Sequence, residues 1–195
     1  MKYIKFYKPF EVLCQFTDSE GRHTLKNFIQ ISGIYSAGRL DYRSEGLLIL
    51  TDDGRMIQRL TDPRFDHPKT YLVEVEGLIT DDDLSSLLQN NLLKGVLYRP
   101  VSAAVIAQPI LPTRSKPIRP YHPTSWVKIV LKEGKKHQVR HMTAAIGFPT
   151  LRLIRIAIGR ITVDDLQPGQ WRDLSPHELT SLKNELGLGS FAGKI

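Results

Sequence analysis

Polar and apolar positions alternate with a period of two along Tyr71 to Glu76 and again along Ser125 to Leu131, predicting two half-buried strands. Leu47-Leu48-Ile49-Leu50 is continuously apolar and is bounded by turn residues, the last of them Thr51-Asp52-Asp53-Gly54, so it predicts a buried strand. Tyr3 to Phe16 reads as a strand, a turn at Lys8-Pro9 and a second strand. Val96 to Val105, interrupted by Pro100, and the basic, β-branched Leu151 to Ile158 are further strand regions. Helical spacing appears in Thr24 to Ile31, through Leu25, Phe28 and Ile29, and in Arg55 to Leu60, which Asp62-Pro63 stops. Asp81 to Gln89 is a helix with Thr80 or Asp81 as N-cap and Leu84, Leu87 and Leu88 on one face. Lys135 to Ile146 is another, ended by Gly147 and Pro149. Ser175, Pro176 and Glu178 form a helix start with a capping box. Pro109 to Pro123 holds five prolines with Arg114, Lys116 and Arg119, a stiff basic loop. The end of the chain from Gly187 reads as frayed. Strands and helices mix without a βαβ period, which predicts an α+β sheet protein rather than a doubly wound one.

Composition adds a partner class. The 195 residues suit one domain, or one domain with two lobes. Lys and Arg outnumber Asp and Glu 27 to 20, a net charge of +7, which favours a polyanion: RNA, DNA or a membrane surface. The single cysteine, Cys14, excludes an intrachain disulfide framework. No apolar run approaches the length of a membrane span and the N-terminus lacks a secretory core, so a cytoplasmic protein with no membrane partner is expected.

Candidate chemistry narrows the choice. No glycine-rich phosphate loop is present. His137 and His141 stand four apart on a predicted helix, a metal-ligand spacing, but Gln138 follows where a metalloprotease helix carries glutamate. They are read as RNA-facing or capping histidines, and no metal is expected. Arg39, Asp41, Arg43 and Glu45 cluster just before the buried apolar strand; charge pattern alone fits either a salt-bridge knot or a site. No helix-turn-helix, zinc finger or basic zipper pattern supports a DNA-binding module.

The run from Gly38-Arg39-Leu40-Asp41 through Ser44-Glu45-Gly46 to Thr51-Asp52-Asp53-Gly54 resembles the long signature of the RsuA-type pseudouridine synthases. Lys8-Pro9, Lys69-Thr70-Tyr71, the segment Glu133 to Met142 and Leu151-Arg152-Leu153-Ile154-Arg155 resemble further motifs of that family, in the same order. The resemblance implies a pseudouridine synthase catalytic domain with a central mixed, mainly antiparallel sheet in two lobes, residues 1–65 carrying the Asp41 loop and residues 66–195 the rest. Only six residues precede the Tyr7-Lys8-Pro9 start, so the N-terminal S4-type module of many relatives is not expected. The implied reaction isomerises a uridine in ribosomal RNA, the large subunit favoured, by a monomer that uses no cofactor. Asp41 is implied as the carboxylate that acts at C1′ or C2′, Arg140 as its partner and Tyr71 as the residue against the uracil. Arg39, Leu40, Lys135, Lys136, Arg152, Arg155, Arg114, Lys116 and Arg119 are implied as RNA contacts. The competing expectations are a non-catalytic RNA-binding or ribosome-assembly protein on the same fold, and a synthase acting on 16S rRNA.

Overall fold

Leu47 to Leu50 are fully buried, and the side chains of this run leave the chain alternately toward two different cores. That explains a strand without alternation: both of its faces are covered. A computed structural model describes residues 1–89, 92–93, 96–98, 100–118 and 121–189. Its strands are β1 (Tyr3–Lys8), β2 (Tyr35–Ser36), β3 (Glu45–Thr51), β4 (Lys69–Glu76), β5 (Leu92–Leu93), β6 (Val96–Leu97), β7 (Pro100–Ile106), β8 (Thr124–Leu131), β9 (Thr150–Ile158), β10 (Ile161–Thr162) and β11 (Trp171–Asp173). The helices are α1 (Gly54–Thr61), α2 (Asp81–Gln89), α3 (Gln138–Ala145) and α4 (Pro176–Glu185).

The main sheet runs β11-β1-β3-β9-β4-β8-β7, with β2 on β3 and β10 on β9. Its pairs are antiparallel except β3 with β9, which run parallel where Glu45 meets Ile154 and Gly46 meets Arg155. The mixed, mainly antiparallel sheet of an α+β protein is therefore as expected. Leu47, Ile49, Leu72, Ile154 and Ile158 share one core with Met56 and Leu60 of α1 and Leu182 of α4. Tyr71, Val73 and Val75 turn the other way and pack with Leu84 and Leu87 of α2 and Val139 and Met142 of α3. Ile4, Phe6, Leu48 and Leu50 close a third core over Leu25 and Ile29.

Two expectations fail in the segment after β1. The second strand of the opening pair does not form: Glu11 takes a left-handed conformation, φ 56°, and the segment's strand-like contact is a single bridge from Leu13 to Thr24. The helix expected over Thr24 to Ile31 shrinks to a 3-10 turn, Leu25–Asn27, closed by Asn27 Oδ1 accepting from Thr24 N at 2.8 Å. Leu25 and Ile29 are buried as their spacing demanded, but a short segment buries two side chains without needing a full helix. The Val96 to Val105 region splits into β6 and β7 around Pro100. Residues 190–195 of the tail lie outside the described residues.

Candidate active site

The loop that joins β2 to β3 carries Asp41, and its backbone is held from several sides. Cys14 Sγ lies 3.2 Å from Leu40 N and 3.3 Å from Leu40 O, accepting from one and donating to the other. Glu11 N donates to Tyr42 O at 2.9 Å. Arg140 Nη2 donates to Arg43 O at 2.8 Å and Nη1 to Thr150 O at 3.3 Å. Lys8 is wholly buried, and its ammonium donates to Pro9 O at 2.8 Å and Val12 O at 2.9 Å. Burial lowers its pKa to about 8, with Asp41 among the acidic groups that favour its charge. The first turn is thus fastened beneath the Asp41 loop.

The loop ends on a buried ion pair. Glu45 accepts two bonds from Arg152, from Nε and Nη2, each at 2.9 Å, and both residues are almost fully enclosed. Gly46 follows with φ 104°, and a Cβ there would lie 2.2 Å from Arg155 O. Only glycine lets β3 approach β9 this closely.

The Asp41 carboxylate is about a third exposed, with 31% of its side-chain surface accessible, and His137 Nε2 stands 3.5 Å from its Oδ1. His137 is the N-cap of α3 and takes a left-handed backbone conformation, φ 53°. Among the described residues no lysine or arginine comes within ion-pair distance of this carboxylate. Arg140 was expected to pair with it; its guanidinium instead holds the loop carbonyl at Arg43, and acts on Asp41 at longer range. Burial disfavours the Arg140 charge, Asp41 favours it, and Arg43 and Arg114 oppose it. Leu40, the residue before Asp41, is buried in one core with Tyr71, Val139 and Met142.

The other residues singled out in the sequence divide by exposure. Arg39, Lys136, Lys135 and Lys116 are exposed, while Arg114 is half-buried. Lys135 is paired with Glu133 at 2.9 Å and sits 5.4 Å from the Tyr98 ring centre. Arg152 and Arg155 are buried in the sheet, Arg155 with Nε donating to Leu47 O at 2.9 Å, so both serve the β3–β9 seam instead of facing a ligand. Arg119 lies outside the described residues. His141 is not turned to Asp41: its Nδ1 lies 3.1 Å from the Tyr98 hydroxyl. Sequence reasoning missed His137 as a neighbour of Asp41, Cys14 and Lys8 as loop fasteners, and Glu45 with Arg152 as a pair. The signal for the last was an acid opening an apolar strand and an arginine inside another.

The family model described as RNA pseudouridylate synthase matches residues 2–145. The chain is 48% identical over 176 residues to a ribosomal large subunit pseudouridine synthase E of Vibrio vulnificus, covering 89% of this chain and 75% of that protein. It is 46% identical over 170 residues to the protein of the same name in Xanthomonas campestris pv. campestris, covering 85% of this chain and 91% of the relative. Among solved structures, the crystal structure of a pseudouridylate synthase superposes with a TM-score of 0.76 at 28% identity, over 93% of this chain and 73% of that one.

Proposed function

The chain belongs to the RNA pseudouridylate synthase family, and from that membership we propose that it isomerises a uridine of large-subunit ribosomal RNA to pseudouridine, with Asp41 as the catalytic carboxylate. The observation that carries the reading is a part-exposed carboxylate in a tightly fastened loop, next in the chain to Leu40, which shares a core with Tyr71. The large-subunit target rests on the names of the two curated relatives.

The reaction breaks N1–C1′, turns the uracil and joins C5 to C1′; the proton lost from C5 is matched by the one gained at N1, so no redox partner is required. A uridine reaches a loop carboxylate only after leaving its stack. In this reading Leu40, Tyr71 and Val139 form an apolar face for the flipped base, and exposed Arg39, two residues before Asp41, enters the vacated space. Asp41 supplies its carboxylate to the sugar. Arg140 keeps positive potential near it while fixing the loop. Lys135 and Lys136, exposed beside α3, are RNA contacts in this reading, as are Arg114 and Lys116. The active unit is taken as a monomer in the cytoplasm. No helix among the described residues is long and apolar enough to cross a membrane. Residues 1–65 and 66–195 are taken as two lobes that meet at the β3–β9 and β1–β11 pairings.

Asp41→Asn tests the assignment. The variant is expected to bind a 23S rRNA transcript within about twofold of the parent while forming pseudouridine at least about 10³-fold more slowly. Nucleotide-resolution mapping of pseudouridine reads the outcome, and unchanged turnover in the variant removes Asp41 from the chemistry. The competing reading, a non-catalytic RNA-binding protein, predicts no pseudouridine from either protein.

A further inference from the structure

A cavity of about 290 Å³ opens beside Arg140, between the first turn, the Asp41 loop and the β7–β8 connection, with Phe10, Glu11, Arg43, Arg114, Lys116 and Arg140 among its lining residues. Four of these carry positive charge and one carries negative charge. Glu11 is committed to Lys116, Oε2 to Nζ at 2.5 Å. Arg43, Arg114 and Arg140 therefore face the cavity without a carboxylate paired to any of them among the described residues. They oppose one another: burial disfavours the Arg140 charge, and Arg43 and Arg114 add to that, with Asp41 as the group that favours it. Burial disfavours the Arg114 charge as well, and Arg152 adds to that, while Glu45, Glu74 and Glu11 favour it at longer range. Like charges lining a concave, partly dry wall concentrate positive potential there, and an anion relieves the cost.

The arrangement is built, not incidental to a loose loop. The connection after β7 is stiffened by Pro109, Pro112 and Pro117 and fastened at three points. Arg152, already paired with buried Glu45, donates Nη2 to Pro112 O at 2.9 Å. The Arg114 guanidinium lies 4.1 Å from the centre of the Phe10 ring. Lys116 is tied to Glu11, whose left-handed backbone turns it into the cavity wall. Arg114 uses Nε on Lys116 O at 2.5 Å, and neither of its Nη groups is taken by a described residue. A guanidinium stacked on a ring and held at Nε presents a fork suited to a phosphate. The volume falls just below the about 300–1,000 Å³ of pockets for drug-sized ligands, which suits one phosphate with its sugar better than a base pair.

Resting on the isomerase reading above, we propose that this cavity seats one backbone phosphodiester of the substrate RNA, close to the uridine presented to Asp41, and so sets the register of the strand. Arg43 stands two residues from Asp41, and Arg140 both lines the seat and holds the Arg43 carbonyl, so occupancy of the seat bears on the loop that carries the carboxylate. The bond to the anion comes from Arg114, Arg43 and Arg140; Phe10 holds the Arg114 guanidinium by stacking, and Lys116 keeps the Glu11 carboxylate occupied.

The test compares the intact protein with Arg114→Gln, Lys116→Gln and Arg114→Lys on the 23S rRNA fragment that pseudouridine mapping defines as substrate. Arg114→Gln is expected to raise KM about tenfold with kcat within about twofold, and to lower the slope of log affinity against log salt by about 0.7–0.9, the release of one phosphate contact. Lys116→Gln, which frees Glu11 to oppose the anion, shifts KM in the same direction. Arg114→Lys retains the salt slope, which a purely structural role for Arg114 does not predict. Fragments with a single neutral methylphosphonate at each linkage near the target then locate the seat: one position weakens binding to the parent and is neutral in Arg114→Gln. An unchanged KM and salt slope in Arg114→Gln overturns the proposal, as does a loss that no single linkage reproduces. Absence of pseudouridine from the parent protein instead strikes the isomerase reading, while transcript affinity and its salt slope still decide the seat.

Discussion

At His137 the backbone and the side chain make opposite demands. A φ of 53° disfavours a residue with a Cβ and suits glycine or asparagine, yet the position holds a histidine that reaches Asp41 at 3.5 Å. Strained residues gather where the geometry has a use. His137→Asn is therefore expected to leave the protein as stable or more so, by up to about 1 kcal/mol, while losing the contact with Asp41. Single-turnover pseudouridine formation should slow about tenfold with RNA affinity preserved. A variant that melts higher and turns over normally would show that the contact contributes nothing. Asp41 itself was legible in the sequence through the motif around it, because that motif is continuous in the chain. His137 beside it was not, and the resemblance put Arg140 on the carboxylate itself, not on the loop: the bond from Arg140 to the Arg43 carbonyl spans 97 positions, and no local pattern encodes an approach over that distance.

The elements around the loop show where periodicity informs and where it misleads. β3, β4, β8 and β9 were readable because each buries a regular set of side chains, and α2 and α4 because charge, caps and spacing agree. The segment from residue 9 to 31 was not, since its apolar residues fill the third core from irregular backbone held by side chains such as Lys8. The β3–β9 seam was invisible for a different reason. Its parallel pairing depends on Gly46 and on Glu45 meeting Arg152, which are 107 positions apart. Gly46→Ala puts a methyl group into the Arg155 carbonyl in a backbone conformation alanine resists, and is expected to cost about 3 kcal/mol or more in urea unfolding. Glu45→Leu alone strands the Arg152 charge in the sheet, a loss of about 3–5 kcal/mol. Glu45→Leu with Arg152→Met removes both charges and should be less damaging than Glu45→Leu alone. Simple additivity in that cycle would mean that the two residues do not act as a pair.

At the scale of the whole molecule, the net charge of +7 was plain in the sequence, but the response of stability to pH was not, because in mild acid it hangs on one enclosed imidazole. His67 is buried between the end of the α1 region and the β9–β10 turn, where a Cβ on Gly159 would lie 2.8 Å from its Cε1. Burial, and then the charge of Lys69, lower its pKa from 6.5 to about 4. The folded protein therefore leaves the ring neutral down to about pH 4, whereas the unfolded chain begins to bind the proton near 6.5. Over that interval the unfolded state holds more protons, so stability falls as the pH falls through it. The full shift corresponds to about 3 kcal/mol, a large share of the about 5–15 kcal/mol that holds a domain together. A second loss sets in below about pH 4.5 through Glu178: burial works against its charge, but Arg172, the Ser175 amide and Lys5 outweigh that and hold its pKa at about 2. The two windows meet near pH 4 and are separable. His67→Gln should flatten urea-unfolding free energy between pH 6.5 and 4 while leaving the steeper decline below 4.5 in place. An unchanged slope in the upper window would mean that some other group takes up the proton.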